Sequence, residues 1–314
     1  MRHGTEPSER PELPPEGPYV SLAPPTHFSH EPSSITRRAF LATGAAAAAG
    51  LALYAGTHAR HEFRIEHRTF AIRNLPDAFV GFRFVQMSDI HLDEYTEPWF
   101  LEKMVAEVNA LGPEVVLLTG DFVSRGPGPN SIAHRAAGVC AEILSTLTAP
   151  QRFAILGNHD VAVGAQHVIA PLEAHGTPVL VDSHFALQRG HDLLWLAGSD
   201  DAGTRTPDLD MSVPAHPNAP VILLAHEPDF ADRVIQHPRF PLIDLMLSGH
   251  THGGQVKLPL VGPLILPPLG KRYIEGLFRF GHMQLYVNRG IGTVGLPFRL
   301  NCPAELTHIT LVRA

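Results

Sequence analysis

The sequence predicts an α/β fold. Short runs rich in Val, Ile, Leu and Phe recur after residue 62, each long enough for a buried strand and each closed by polar residues. Between several of them lie stretches with apolar residues at helical spacing. A third observation concerns function. Many of the strand-like runs end in Asp, Asn or His.

Taken in order, Phe63 to Ile72 alternates like a strand. Phe82 to Met87 leads into Ser88-Asp89-Ile90-His91, and Val115 to Leu118 into Thr119-Gly120-Asp121. Phe153 to Leu156 leads into Gly157-Asn158-His159-Asp160. Val221 to Leu224 precedes Ala225-His226-Glu227, and Leu242 to Leu247 precedes Ser248-Gly249-His250-Thr251-His252-Gly253-Gly254-Gln255. Helices are expected over Pro98 to Leu111, stopped by Gly112-Pro113, over Ser131 to Leu147 before Pro150, and over Ala165 to Ala174 before Gly176. The C-terminal third reads as strands at Leu193–Ala197, Gln255–Leu258, Tyr273–Phe280, Met283–Asn288 and Leu306–Val312, expected mostly in a second sheet packed on the first.

Composition bounds the class. A hydrophobic share of 44% with 18% charged residues fits a folded chain, and a net charge of -7 gives no electrostatic ground for nucleic-acid binding. Twenty histidines favour metal chemistry, but they also make any single histidine uninformative. Cys140 and Cys302 form no Cys-x-x-Cys pair, which argues against a thiolate zinc site. Two buried thiols are expected, with a disulfide as the alternative.

Three segments follow. Residues 1–34, rich in Pro, Ser, Glu and His, read as a disordered leader. Residues 35–60 hold Thr36-Arg37-Arg38-Ala39-Phe40-Leu41 and an uncharged Ala- and Gly-rich stretch to Gly56, similar to a twin-arginine export signal. A retained membrane anchor is the alternative, because Thr57-His58-Ala59 is a weak cleavage sequence. Residues 62–314 read as one catalytic domain. The chain is thus expected on the outer face of the cytoplasmic membrane or in the periplasm, with the export machinery as a partner.

In open α/β sheets ligands bind beyond the carboxyl ends of the strands, so these polar strand ends should converge. They bring Asp89, His91, Asp121, Asn158, His159, His226, His250 and His252. Mixed nitrogen and oxygen donors suit Mn, Fe or Zn better than Ca or Mg. There are too many donors for one tetrahedral ion and about enough for two ions sharing a carboxylate.

The ordered set Asp-x-His, Gly-Asp, Gly-Asn-His-Asp, His, Gly-His-x-His resembles the calcineurin-like metallophosphoesterase superfamily over Phe63 to Arg313. That resemblance implies a four-layer αββα sandwich of two mixed sheets flanked by helices. It implies Asp89, His91 and His252 on one divalent metal, Asn158, His226 and His250 on a second, and Asp121 bridging them. It also implies His159 as general acid or charge stabiliser over the phosphate, oriented by Asp160. Ser124 stands where many members carry Asp, which puts the contacts around that loop in doubt.

The Gly-His-Thr-His-Gly-Gly-Gln block, the apolar Leu258–Pro268 stretch and Tyr286 to Gly290 resemble an exported or membrane-bound branch similar to UDP-2,3-diacylglucosamine diphosphatases. The stretch is either a rigid loop or a hydrophobic wall for an acyl group. Arg289 is a candidate phosphate contact, or else a structural ion pair. The expected activity is hydrolysis of a phosphodiester or pyrophosphate in a nucleotide- or lipid-linked envelope substrate. The alternatives are a phosphomonoesterase or cyclic-nucleotide phosphodiesterase, and a noncatalytic metal- or envelope-binding protein.

Overall fold

A computed structural model describes residues 36–92, 95–126 and 130–314. The expectation for residues 1–34 lies outside the described residues. Two compact units divide the chain, Met1–Ala45 and Ala46–Ala314. The described part of the first is the opening of helix α1, Arg37–Thr57.

The second unit holds the sheets. After β1 (Phe63–Ile72) come β2 (Arg83–Met87), α2 (Pro98–Leu111), β3 (Val115–Thr119), α3 (Asn130–Leu144), β4 (Gln151–Ile155) and α4 (Asn158–Ala174). Then follow β5 (Ser183–Arg189), β6 (Asp192–Gly198), α5 (Leu209–Ser212), β7 (Val221–Leu224), α6 (Ala231–Val234) and β8 (Ile243–Ser248). The chain closes with β9 (Lys257–Leu258), β10 (Gly262–Pro263), β11 (Gly276–Phe280), β12 (Met283–Val287) and β13 (Ala304–Arg313). One sheet has the order β1-β13-β2-β3-β4 and the other β11-β12-β8-β7-β6-β5; both mix parallel and antiparallel pairs.

Three apolar cores explain the layering. Phe84, Leu117 and Phe153 of the first sheet meet Leu196, Leu224 and Leu247 of the second. Alternate residues of the same strands, such as Val85, Val116 and Ala154, face α2, α3 and α4 instead. Ala197, Leu223 and Met246 face α5 and α6 on the far side. The result is the αββα sandwich. Every central strand is apolar on both faces because each face has a layer to bury it.

Several elements differ from the sequence expectation. β13 joins the first sheet beside β1, not the second. β9 is a two-residue strand that pairs with β10, outside both large sheets. The sequence reading passed over β5, an edge strand in which only Leu187 is buried. Helix α4 starts at Asn158, well before Ala165, because Asp160 caps its first turn. Gly164, at φ 108 and ψ 99, breaks the helical path there, so regular periodicity resumes only beyond it. Helix α2 ends where expected, with Gly112 in the left-handed conformation. Cys140 and Cys302 are both free and buried.

Candidate metal centre

The parallel strands β2, β3, β4, β7 and β8 all run toward one end of the sandwich, and the polar residues after them gather there. Asp89, His91 and His252 form one cluster; Asp121, His226 and His250 form another. Within each, the donor atoms lie within 4.8 Å of one another. All of these residues are buried.

The backbone that delivers them is unusual. Asp89, His91, Asp121, His250 and His252 all have positive φ, from 47° to 71°. Non-glycine residues rarely adopt this region, and such strain concentrates at functional sites. Two neighbouring glycines are needed for space. A Cβ on Gly249 would strike the Ser88 hydroxyl and the Asp89 carboxylate, and one on Gly157 would strike the Asp121 carboxylate. The His-x-His segment is not extended. Left-handed turns at His250 and His252 send the two imidazoles to different clusters, while the Thr251 hydroxyl donates to the Ile274 carbonyl (2.6 Å).

Asp121 lies between the clusters. Its Oδ2 is 3.4 Å from His91 Nε2 and 3.2 Å from His226 Nε2. Asp89 Oδ1 is 3.3 Å from His252 Nε2. Donors bound to one ion at about 2.1 Å lie roughly 3.0–3.4 Å apart, so these spacings suit shared cations. His91 Nε2, His226 Nε2 and Asn158 Oδ1 are buried without hydrogen-bond partners among the described residues. Unsatisfied buried groups are costly, and cations held at the two clusters would satisfy them. The donor set therefore fits divalent metals.

Contacts behind the donors fix their orientation. His226 Nδ1 is 2.7 Å from the Thr119 carbonyl, and His250 Nε2 is 2.7 Å from the Pro268 carbonyl, which leaves the opposite ring nitrogen for a metal. His91 Nδ1 is 2.9 Å from the Ser124 hydroxyl. Ser124 thus supplies an orienting contact in the loop where the sequence left that role open.

Burial pushes His91 down to about 3 and His250 to about 4, and takes His252 well below its ordinary value. These imidazoles are neutral at physiological pH, as ligation requires. Burial raises Asp89 to about 6, with the Asp121 charge adding to the rise and His226 opposing it. Burial also opposes charge on Asp121 and His226, but their mutual attraction wins: Asp121 is held low and His226 high.

His159 lines the same cavity as His91, Asp121, Asn158, His250 and His252. Its Nδ1 accepts the Arg125 N–H at 2.9 Å. Asp160 does not orient it, contrary to expectation. The Asp160 carboxylate instead accepts the N–H groups of Asp121 (2.8 Å), Phe122 (2.9 Å) and Gly157 (3.0 Å), tying the β3 and β4 loops together. Burial and the Asp121 charge push it up to about 8. Arg289 does not line the cavity either; its guanidinium pairs with Glu66 (2.8 Å) and Glu305 (3.0 Å).

Sequence reasoning missed Arg299. It is fully buried and donates to the carbonyls of Arg289, Gly290, Gly292 and Cys302, with its Nη2 3.5 Å from His252 Nδ1. It gathers the β12–β13 loop behind the His252 turn. No local pattern marks it, because its partners are backbone carbonyls.

The cavity has a volume of about 560 Å³. Its floor is the ligand cluster. Its walls are apolar, from Ala48, Leu51 and Ala55 of α1, Leu264 and Ile265 of the loop after β10, and Phe298.

Fold and site together define the class of a metal-dependent hydrolase, with two buried His/Asp clusters that could hold divalent cations. A sequence profile of the calcineurin-like phosphoesterases matches residues 82–254, and the chain belongs to this family of metallophosphoesterases, hydrolases acting on phosphoester bonds. It is 34% identical over 275 residues to an uncharacterized metallophosphoesterase, YkuE, of Bacillus subtilis, covering 86% of this chain and 93% of that one. It is 33% identical over 287 residues to the phosphodiesterase YaeI of Escherichia coli, covering 88% and 100%. It is 28% identical over 283 residues to the UDP-2,3-diacylglucosamine pyrophosphatase LpxG of Chlamydia trachomatis, covering 70% and 81%.

Proposed function

We propose that this protein hydrolyses a phosphodiester or pyrophosphate bond in an amphiphilic envelope substrate, nucleotide- or lipid-linked, at a pair of divalent cations. The observation that carries this reading is the position of Asp121 Oδ2 between two His/Asp clusters at the floor of an apolar cavity. The phosphodiesterase and pyrophosphatase relatives support the reaction class, and the apolar walls support a substrate with an alkyl part.

In this reading Asp89, His91 and His252 hold one cation, and Asn158, His226 and His250 the other, with Asp121 shared. Mn, Fe or Zn fit the mixed donors. The cations, when bound, supply a hydroxide nucleophile near neutral pH and offset phosphate charge. His159 acts at the leaving oxygen. Because its Nδ1 accepts the Arg125 N–H, the neutral ring carries its proton on Nε2, the nitrogen free to donate. Asp160 acts by holding the Asp121 and Gly157 backbone.

Export by the twin-arginine route belongs to the same proposal, on Arg37-Arg38 before Phe40-Leu41. The packing of the second unit favours retention of α1 as an anchor. Ala55 and Ala59 are buried, Arg299 donates its backbone N–H to the Ala55 carbonyl, and Gly56 meets the Phe298 ring.

The test is a substrate panel on full-length protein of measured metal content. Bis-p-nitrophenyl phosphate should turn over faster than p-nitrophenyl phosphate. Much faster monoester hydrolysis would sink the diester reading, and protein that binds two metals yet hydrolyses neither would favour a noncatalytic role.

A further inference from the structure

The loop from Leu258 to Gly270 is only partly used by the site. It carries no charged side chain, and Lys257, Lys271 and Arg272 bracket it. Leu264 and Ile265 contribute to the cavity wall, yet Ile265 is 74% exposed. Val261 is 70% exposed and Leu260 is fully exposed, at the tip of the β9–β10 hairpin. Leu260 has φ 66, a left-handed conformation that a branched side chain adopts at a cost. A turn built for water would place glycine or asparagine there.

The neighbours of this loop indicate what covers it. Leu300 accepts the Lys257 N–H at 2.9 Å, and Arg299 donates its own N–H to Ala55 of α1 at 3.1 Å. The hairpin, the 296–300 segment and the last turns of α1 thus form one continuous surface within the second unit. On it Leu51 of α1, which also lines the cavity, and Leu296 are exposed. The helix that contributes to this surface has the length and composition of a membrane span and is almost wholly exposed. Exposed apolar patches of this kind mark a partner, and a helix of this length and polarity points to lipid. From Ala48 to Ala55 the rise is roughly 10 Å. Those residues wall the cavity, so its mouth lies at the depth of the last turns of the span.

We propose that the exposed tip of this loop, Leu260 to Ile265, inserts into the lipid bilayer beside α1, as a second membrane contact that seats the cavity mouth in the leaflet. Of the bracketing cations, Lys257 pairs with Glu275 and Arg272 with Asp232, and Lys271 then lies at headgroup level with its stem along the apolar surface. This holds whatever bond the site hydrolyses.

The test uses the full chain carrying Leu260→Cys, labelled with the environment-sensitive dye NBD. The native cysteines are buried, so label goes to the tip. The protein is reconstituted into vesicles of phosphatidylethanolamine and phosphatidylglycerol. Gln188→Cys, exposed near the turn of the β5–β6 hairpin, is the control. The expected result is blue-shifted emission at position 260, strongly quenched by acyl-chain spin-labelled lipid, with water-like emission at 188. Water-like, unquenched emission at 260 in protein that floats with the vesicles would overturn the proposal. So would protein that fails to float. A blue shift without lipid quenching would also overturn it, because the loop would then be packed against protein, a second copy included. Hydrolysis of bis-p-nitrophenyl phosphate by the labelled variant, measured in parallel, keeps the reaction reading separate. An inactive but inserted protein would count against the reaction alone.

Discussion

The cavity has two unlike halves. Its floor is made by loops that leave the carboxyl ends of central strands, pinned by buried hydrogen bonds such as those of the Asp160 carboxylate to Asp121, Phe122 and Gly157. Its walls are made by the end of an apolar helix and a proline-rich loop, with Leu260 and Ile265 open to solvent. The difference separates two jobs. Chemistry needs donors held to fractions of an ångström, which packed sheets provide. Partner choice needs apolar area that can adapt, which loops provide.

The floor should therefore fail in metal content and turnover, and the wall in affinity. The largest effect is expected for Asp121→Ala. It should lower turnover by about 10³-fold or more, the scale of metal-borne charge stabilisation, and should reduce the metal bound per chain. Full metal content with wild-type turnover would break the assignment of the floor. Ser124→Ala removes the hydroxyl that orients His91, and metal affinity or activity should fall by about 10- to 100-fold with the fold intact. An unchanged metal titration would show that Ser124 positions nothing.

The floor should also be sensitive to acid. Asp89 is raised to about 6 by burial, so below that pH its carboxyl is neutral and must lose a proton to ligate. Metal affinity should weaken as pH falls through 6, by about tenfold per pH unit for each proton displaced. Calorimetry in buffers of different ionisation enthalpy would count those protons. Affinity that strengthens toward pH 5 would contradict this account.

For the wall, Ile265→Ser should raise KM for a long-chain phosphodiester by about tenfold, the value of one buried aliphatic side chain, while leaving metal content and bis-p-nitrophenyl phosphate turnover unchanged. Equal losses on both substrates would erase the distinction between the halves. The smallest effect is expected away from both. His167 stacks on His134 at 3.6 Å between ring centroids, outside the cavity, and His167→Ala should change stability by no more than about 0.5 kcal/mol and leave metal content alone.

Much of this was legible in the sequence because it is local. Apolar runs buried on both faces announced β2, β3, β4, β7 and β8, and the polar residues just beyond them announced the floor. A central strand needs a continuous apolar run, and a ligand beyond its end needs a donor side chain, so both leave marks in order along the chain. The sheet that β13 would join left no such mark. Its alternation suits either sheet, and pairing with β1, more than two hundred residues earlier, is settled only by packing.

The tertiary structure alone decided the finer roles. Asp160 lies next to His159 in sequence but points into the backbone of two loops, because the first turn of α4 rotates it away. Arg289 is held by Glu66 and Glu305 on neighbouring strands. Arg299 finds carbonyls that no pattern predicts. Residue type and spacing thus determined which donors exist and on which strand ends they sit. Which way each side chain faces, and that α1 contributes a wall of the cavity, depended on long-range contacts that spacing does not encode.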